Sequence, residues 1–141
     1  MKNIIKFVYG DKSTFIPKRN IKSVCIKDDK VYIYLNKYTK SEYYIVPDTS
    51  QSPFSIYNEI LNLFSNDEVI INPTKNEFYV VCCIQLFIKN LNNVRLIFYR
   101  DIYSYYGEFH VKFPEVEIQF NENNECDKFI ESLTDKISKI D

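Results

Sequence analysis

Short runs in which apolar and polar residues alternate recur along most of this chain, and they constrain its fold more than any other feature. In 115–120, Val, Ile and Phe alternate with Glu and Gln, and in 31–35, Val, Ile and Leu alternate with Tyr. A period of two residues is typical of half-buried strands, whose side chains point to the two faces of a sheet in turn. With turn residues or prolines at their ends, such runs predict strands at 7–9, 14–16, 21–26, 31–35, 42–46, 78–89, 94–98, 108–113 and 116–120.

Two segments change to a helical period. In the first, Ser52 is placed to cap a helix that begins at Pro53. The apolar residues that follow have the spacing of one helical face: Phe54, Tyr57, Ile60, Leu61 and Phe64. The second segment, with Asn123 or Asn124 as the expected cap, carries a comparable stripe: Cys126, Phe129, Ile130, Leu133, Ile137 and Ile140. We therefore expect an α+β fold with antiparallel sheet and two helices.

The run 78–89 differs from the other strands because it is apolar on both faces. This pattern predicts a central strand, or a strand whose outer face is covered. Cys82 and Cys83 lie within the run, and neighbours in a strand point to opposite faces, so we expect no bridge between them. No CxxC pair or metal-ligand spacing occurs. We expect all four cysteines to be buried free thiols: Cys25, Cys82, Cys83 and Cys126.

The two halves of the chain resemble each other. The sequence 26–33 resembles 88–96, and the residues that precede Pro47 resemble those that precede Pro114. One interpretation is a single domain, 1–141, made of two fused strand–hairpin–strand–helix units, 1–67 and 68–141. The alternative is that a biased composition makes any two hairpin-plus-helix segments look alike. This alternative stays open because only one repeat pair is visible.

Size and composition are those of one globular domain: 141 residues, 45% apolar and 26% charged. No run of about 18 apolar residues occurs, so we expect no membrane-spanning helix. Lys6 interrupts the apolar stretch near the N-terminus and no small-residue cleavage site follows, so we expect a cytoplasmic protein. Ala is absent while Ile, Lys, Asn and Tyr are abundant. We interpret this bias as the product of an AT-rich genome, which could be that of a low-GC bacterium, a phage or a parasite.

Catalytic signatures are missing from the sequence. Two glycines, Gly10 and Gly107, are too few for a phosphate-binding loop or a dinucleotide fingerprint. His110 is the one imidazole and the one catalytic centre that can be named, but its place in a strand favours a structural role. We therefore expect no enzymatic activity, no cofactor and no metal site, with an enzyme of unknown class as the least favoured alternative.

Charge is distributed unevenly along the chain. Residues 1–46 hold ten Lys and Arg against four Asp and Glu, whereas 47–141 hold eight against fifteen. A cationic surface of this kind binds polyanions. There are two alternative explanations of the uneven charge. Either the cations simply belong to solvated loops, or complementary basic and acidic faces promote self-association. The candidate basic face consists of Lys12, Lys18, Arg19 and Lys22.

Tyrosine is the most distinctive residue of the second half, where aromatic side chains crowd the segment 98–109. Tyrosine offers a large rigid surface with a polar tip, which suits recognition. Strands also favour it without any such role. The candidate interaction surface consists of Tyr99, Arg100, Tyr103, Tyr105, Tyr106 and Phe109.

Two functions of different classes follow from these candidates. The leading hypothesis is a non-enzymatic protein-interaction module, such as a phage or mobile-element accessory protein that inhibits a host factor or serves in assembly. It would bind a protein partner or form a homo-oligomer through the tyrosine-rich surface. The second hypothesis is a nucleotide or single-stranded nucleic-acid binder, which would use the basic first unit and stack bases on Tyr and Arg.

Overall fold

The computed structural model describes residues 3–36, 43–48, 50–99, 101–105, 107–112 and 114–140; for 101–105 and 108–112 it describes the backbone. The described strands pair antiparallel and two helices accompany them, so the predicted α+β class is confirmed. Within this part of the chain, no helix is long and apolar enough to cross a membrane.

The elements follow one another in a similar order in the two halves. The described part of the first half contains β1 (Ile4–Tyr9), β2 (Lys12–Pro17), β3 (Ile21–Lys27), β4 (Lys30–Leu35), β5 (Tyr43–Ile45) and α1 (Pro53–Leu61). That of the second half contains β6 (Val69–Ile71), β7 (Glu77–Val80), β8 (Ile84–Asn90), β9 (Asn93–Phe98), β10 (Asp101–Tyr105), β11 (Glu108–Lys112), β12 (Glu115–Gln119) and α2 (Asn123–Ser138). One 3-10 turn precedes β3 at Lys18–Asn20, and another precedes β8 at Val81–Cys83.

The described strands form four sheets. In the largest, β5, β4, β3, β7 and β6 lie side by side in that order. The strands β12, β9 and β8 form a second sheet, while the β1–β2 and β10–β11 hairpins are separate two-stranded sheets. The largest sheet joins the two halves because β3 pairs with β7, which places Val24 opposite Phe78. Both side chains are fully buried in one apolar cluster that also includes Leu96 and Leu133.

The helix α1 begins where the sequence predicts. Pro53 is its first residue, and the Ser52 hydroxyl accepts a hydrogen bond from the backbone N–H of Ser55 at 3.1 Å. Tyr57 is buried, with its ring edge-on to that of Phe78 at 5.6 Å between centroids. Phe54 departs from the predicted buried face, since it is 54% exposed.

The second helix, α2, has the predicted apolar stripe but not the predicted cap. Cys126, Phe129 and Leu133 are buried along it. Asn123 is already helical and the capping position belongs to Glu122, whose side chain makes no capping hydrogen bond. The expectation of an Asn cap was wrong, because the helix begins one residue earlier than an Asn123 cap requires.

The prediction of a single strand at 78–89 was also wrong, because the 3-10 turn at Val81–Cys83 divides this run. The part before the turn, β7, lies inside the largest sheet with all four residues buried, as predicted. The part after the turn, β8, lies at a sheet edge, and Leu86 and Ile88 are exposed. The turn also leaves Cys82 exposed, contrary to our expectation of burial, whereas the other three cysteines are buried and all four are free.

The hairpins β3–β4 and β8–β9 share several local features. Each follows a 3-10 turn, and the register shifts at its second residue, between Ile21 and Ser23 in one and between Ile84 and Leu86 in the other. A third strand then pairs with the outer edge of each hairpin, β5 on β4 and β12 on β9, and a helix follows. These correspondences match the two-unit interpretation; a common origin of 1–67 and 68–141 stays a prediction.

Candidate functional site

The tyrosine-rich candidate surface lies around the β10–β11 hairpin. In its backbone register Tyr103 is opposite His110, and Tyr105 is opposite Glu108. Tyr99, just before the hairpin, is 56% exposed. Phe109 lies in β11, opposite Ser104, while Arg100 and Tyr106 are outside the described residues. The hairpin therefore brings three of the predicted residues to paired strands, and the arrangement of their side chains stays a prediction.

The four residues of the candidate basic face have two different environments. Lys12, in β2, and Arg19, in the first 3-10 turn, are exposed. The ammonium group of Lys18 instead donates to the Leu63 carbonyl oxygen at 3.0 Å and to Glu68 at 3.2 Å. Lys22 is only 7% exposed.

Aromatic rings line the two enclosed lysines of this set. The Nζ atom of Lys18 lies 5.1 Å from the centroid of the Phe64 ring, and that of Lys22 lies 5.9 Å from the centroid of Phe98. A cation over a ring face is stabilised by the quadrupole of the ring. Lys18 and Lys22 thus serve packing between parts of the fold, and only Lys12 and Arg19 of the predicted set are placed for an external anion.

Two further exposed cations lie in the first half. Lys6 projects from the outer face of β1, with its Nζ atom 5.6 Å from the Phe15 ring centroid, and Lys27 ends β3, 5.8 Å from the ring of Tyr32. Within the described residues, neither has an acidic partner. Sequence reasoning missed Lys6 as a candidate, although its alternation with the apolar residues of β1 already indicated an outward position.

Among the described side chains of the second half, most cations carry an acidic partner. Lys75 pairs with Glu77 at 3.4 Å and Lys89 with Asp127 at 3.2 Å. Two more cations follow the same pattern: Arg95 pairs with Glu115 at 3.7 Å, and Lys139 pairs with both Asp67 and Asp135 at 3.3 Å. Pairing cancels much of the field that an exposed cation would present to a distant anion. Among the described residues, the first half therefore presents more exposed cations without an acidic partner than the second half does.

A buried polar cluster lies at β7 and the turn that precedes it. The Tyr79 hydroxyl donates a hydrogen bond to Glu77 and accepts one from the Asn72 amide at 3.0 Å. Burial raises the pKa of Tyr57 to about 12, and the nearby Glu77 carboxylate adds to this shift. The same two causes, in the same order, raise the pKa of Cys25 to about 11. These shifts keep Tyr57 and Cys25 neutral near pH 7, so they do not act as nucleophiles there.

Cys82 is the one thiol with the opposite shift. A hydrogen bond from Cys83 outweighs the effect of burial and lowers the pKa of Cys82 to about 6, while the pKa of Cys83 is raised by the same bond and by burial. Among the described residues, no cluster of three or more His, Cys, Asp or Glu side chains could hold a metal ion. Cys82 is thus an exposed thiol with a lowered pKa that lies outside any metal-binding cluster in that part of the chain.

Comparison with known proteins identifies a similar fold but no family. No family model matches the sequence, and neither does any curated protein. A solved structure, the LytTr DNA-binding domain of a putative methyl-accepting/DNA response regulator from Bacillus cereus, is similar with a TM-score of 0.60. The match covers 94% of this chain and 98% of that chain at 13% sequence identity. At this identity the likeness shows a shared fold.

This likeness overturns the leading functional hypothesis from the sequence. We expected a protein-interaction module of a phage or mobile element, with a protein partner or self-association ranked above nucleic acid. The solved domain that shares the fold over nearly the whole chain is a DNA-binding domain. The ranking was therefore wrong, and the findings favour the second hypothesis, a nucleic-acid partner.

Proposed function

We propose that this chain binds DNA. The observation that carries the proposal is the fold likeness to a DNA-binding domain over 94% of this chain and 98% of the other. Because so much of each chain is matched, the likeness extends across both halves and is not confined to one common hairpin. Folds host many functions, so the proposal also needs support from the residues of this chain.

The cations of the first half provide that support. Lys12, Arg19 and Lys27 are exposed and have no acidic partner among the described residues. Lys and Arg that contact DNA phosphates release condensed counterions, and this release supplies most of non-specific affinity. Phosphate contacts also fix the position of a protein on DNA. We assign these three residues, which include two of the predicted basic face, to the phosphate backbone.

The tyrosine-rich hairpin is proposed as a second contact. Unpaired bases stack on exposed aromatic rings, with about 1–3 kcal/mol lost per base when a ring is removed. Replacing Tyr103, Tyr105 and Tyr106 together by Ala is expected to weaken binding of a single strand more than binding of a duplex. Equal binding of both probes by the variant and the parent would remove the hairpin from the site.

We also propose that the protein has no catalytic activity of its own. Two buried groups whose pKa is raised by burial and by Glu77, Tyr57 and Cys25, are held neutral, which suits a structural role. His110 was the one catalytic centre that the sequence offered. Replacing His110 by Ala is expected to leave DNA binding unchanged, and a hydrolytic or transferase activity lost with this variant would contradict a purely binding role.

The direct test is fluorescence anisotropy with a labelled duplex of random sequence and a single strand of the same sequence. We expect saturable binding whose affinity falls steeply between about 50 mM and about 200 mM salt, because phosphate contacts release counterions. Comparison of the two probes separates a duplex binder from the single-strand binder of the original hypothesis. Absence of binding to both probes at low salt, or binding that ignores salt, would overturn the proposal.

A further inference from the structure

A large groove runs between β1 and α1. Its volume is about 1030 Å³, at the upper end of the range of small-molecule sites. One wall comes from consecutive residues of β1, including Ile4, Ile5 and Val8, which belong to both faces of the strand. Residues from both faces can line one groove only if it follows the edge of the strand. The other wall is the face of α1 and the following turn that carries Ile56 and Leu63.

The edge of β1 is open because this strand pairs with β2 alone among the described strands. Three apolar side chains at the groove are in contact with water: Ile4 is 52% exposed, Val8 57% and Phe15 59%. Their exposure follows the register, since Ile4 and Val8 lie on the outer face of β1 and Phe15 on the same face of β2. Contiguous exposed apolar residues beside a concave surface mark a binding site more often than an ordinary surface.

Charge in the groove indicates the type of ligand. The lining contains one cation, Lys6, and one acid, Glu59. Glu59 accepts a hydrogen bond from the Gln51 amide at 3.2 Å. Lys6 has no acidic partner among the described residues and lies over Phe15. A ligand that brings its own anionic group to Lys6 would therefore complete a charge pair beside an apolar surface.

We propose that this groove binds a free amphipathic molecule, an apolar chain with an anionic head group. The apolar tail of this ligand lies along the edge of β1 against Ile4, Val8 and the apolar face of α1. The head group pairs with Lys6 at the groove's rim. This inference goes beyond DNA binding and does not depend on it, since Lys6 is not among the three residues assigned to phosphate.

Calorimetric titration of the full chain below the micellar concentration tests the proposal, with dodecanoate and dodecyltrimethylammonium as probes of opposite head-group charge. We expect saturable binding with one site, and tighter binding of dodecanoate. Lys6→Gln is expected to weaken dodecanoate binding about tenfold, the scale of a charge-assisted hydrogen bond, and to remove the preference between head groups. Val8→Asp adds a second acid, besides Glu59, where the apolar tail of the ligand would lie, and is expected to abolish binding.

Matched controls lie outside the groove. Lys12→Gln makes the same charge change on the neighbouring strand, and Leu91→Asp introduces the same acid at an 84% exposed apolar position in the β8–β9 turn. Both controls should bind dodecanoate as the parent does, and circular dichroism should show all four variants folded. Equal affinity for the two head groups, equal loss in the controls, or binding to anionic vesicles without binding to free dodecanoate would overturn the proposal. Loss of DNA binding without loss of dodecanoate binding would not count against this proposal.

Discussion

The hairpins β3–β4 and β8–β9 have nearly the same local construction but different surroundings. Besides the shared 3-10 turns and register shifts, one backbone hydrogen bond recurs at the same place: Asn36 N–H donates to the Asn20 carbonyl oxygen at 2.9 Å, and Tyr99 N–H donates to that of Cys83 at 3.0 Å. Yet β3 lies inside a five-stranded sheet, whereas β8 lies at the edge of a three-stranded one.

Long-range pairing creates that difference. The edge of β3 is covered by β7 from the second half of the chain, whereas the corresponding edge of β8 has no strand beside it among the described residues. Lys22, at the register shift in β3, is buried with its Nζ atom 5.9 Å from the centroid of the Phe98 ring, whereas Gln85, at the matching shift in β8, is exposed. Local sequence thus builds the hairpin, and distant partners decide which of its faces and edges meet water.

The same contrast applies to charge. Among the described side chains, four exposed cations of the first half lack acidic partners, although Lys30 pairs with Asp48 at 3.0 Å, while most cations of the second half are paired. Two chain halves of similar architecture therefore present different fields to a polyanion. Our functional account depends on this difference.

The largest expected effect comes from placing an acid at equivalent positions of the two hairpins. Val24 is fully buried opposite Phe78, whereas Phe87, its counterpart in β8, is only half-buried. Val24→Asp buries an unpaired carboxylate and should lower the free energy of unfolding by an amount on the order of 3–5 kcal/mol. Phe87→Asp should cost less because water reaches that position. Urea unfolding followed by circular dichroism measures both, and equal destabilisation would show that the two surroundings do not differ as described.

A pH-dependent effect is expected at the ion pair that links the halves. Burial acts to raise the pKa of Glu68, but the Ser65 N–H and Lys18 outweigh it and lower the pKa below its usual value. A lowered folded-state pKa means that the unfolded chain binds the proton first. The stability that Glu68 contributes is therefore present above the usual carboxyl pKa and is lost as pH falls through the folded-state value.

Unfolding free energies of the parent and of Glu68→Gln, measured from about pH 7 to about pH 3, test this sign. The two should differ at neutral pH and converge in acid. Glu117→Gln, at an exposed acid of β12, provides a control that should follow the parent throughout. A gap that widens in acid would contradict the assigned role of Lys18.

The smallest effect concerns the middle residues of the two 3-10 turns, Arg19 and Cys82. Both are exposed, but only the second turn places a thiol there. Because the pKa of Cys82 is lowered to about 6, iodoacetamide should alkylate it at neutral pH well before Cys25, whose pKa is raised to about 11. Mass spectrometry of digested protein measures the order, and Cys82→Ser should lose the fast phase. Equal rates would mean that the hydrogen bond from Cys83 does not hold in solution.

Particular elements show how far the sequence predicts this fold. The Ser52–Pro53 start of α1 and the alternating strands carry local signals, so they were predicted correctly. The 3-10 turn at Val81–Cys83 was missed because apolar residues continue on both sides of it and nothing local distinguishes a turn from a strand. Its position depends on distant contacts, among them the Asn36 amide, which donates both to the Arg19 carbonyl oxygen and to the Cys83 sulfur.

The candidate site was predictable to a similar degree. The excess of cations in residues 1–46 is visible in the sequence. The sequence does not show which of these cations are enclosed by the fold. Glu68, which pairs with Lys18, is distant along the chain, and the ring that lies near Lys22 belongs to β9. The sequence does not choose between a protein and a nucleic-acid partner, since exposed tyrosines serve both kinds of recognition, and the proposal of DNA rests on the likeness of fold.

One measurement tests the central claim most directly: the salt dependence of duplex DNA binding for two matched triple variants. The first replaces Lys12, Arg19 and Lys27 by Gln, and the second replaces Lys75, Lys89 and Arg95 by Gln, so each removes two Lys and one Arg. We predict that the first variant binds more weakly and that its dependence of log affinity on log salt is shallower by up to about three, whereas the second keeps the salt dependence of the parent and loses much less affinity. Equal losses in the two variants, or a loss in the second alone, would contradict the account.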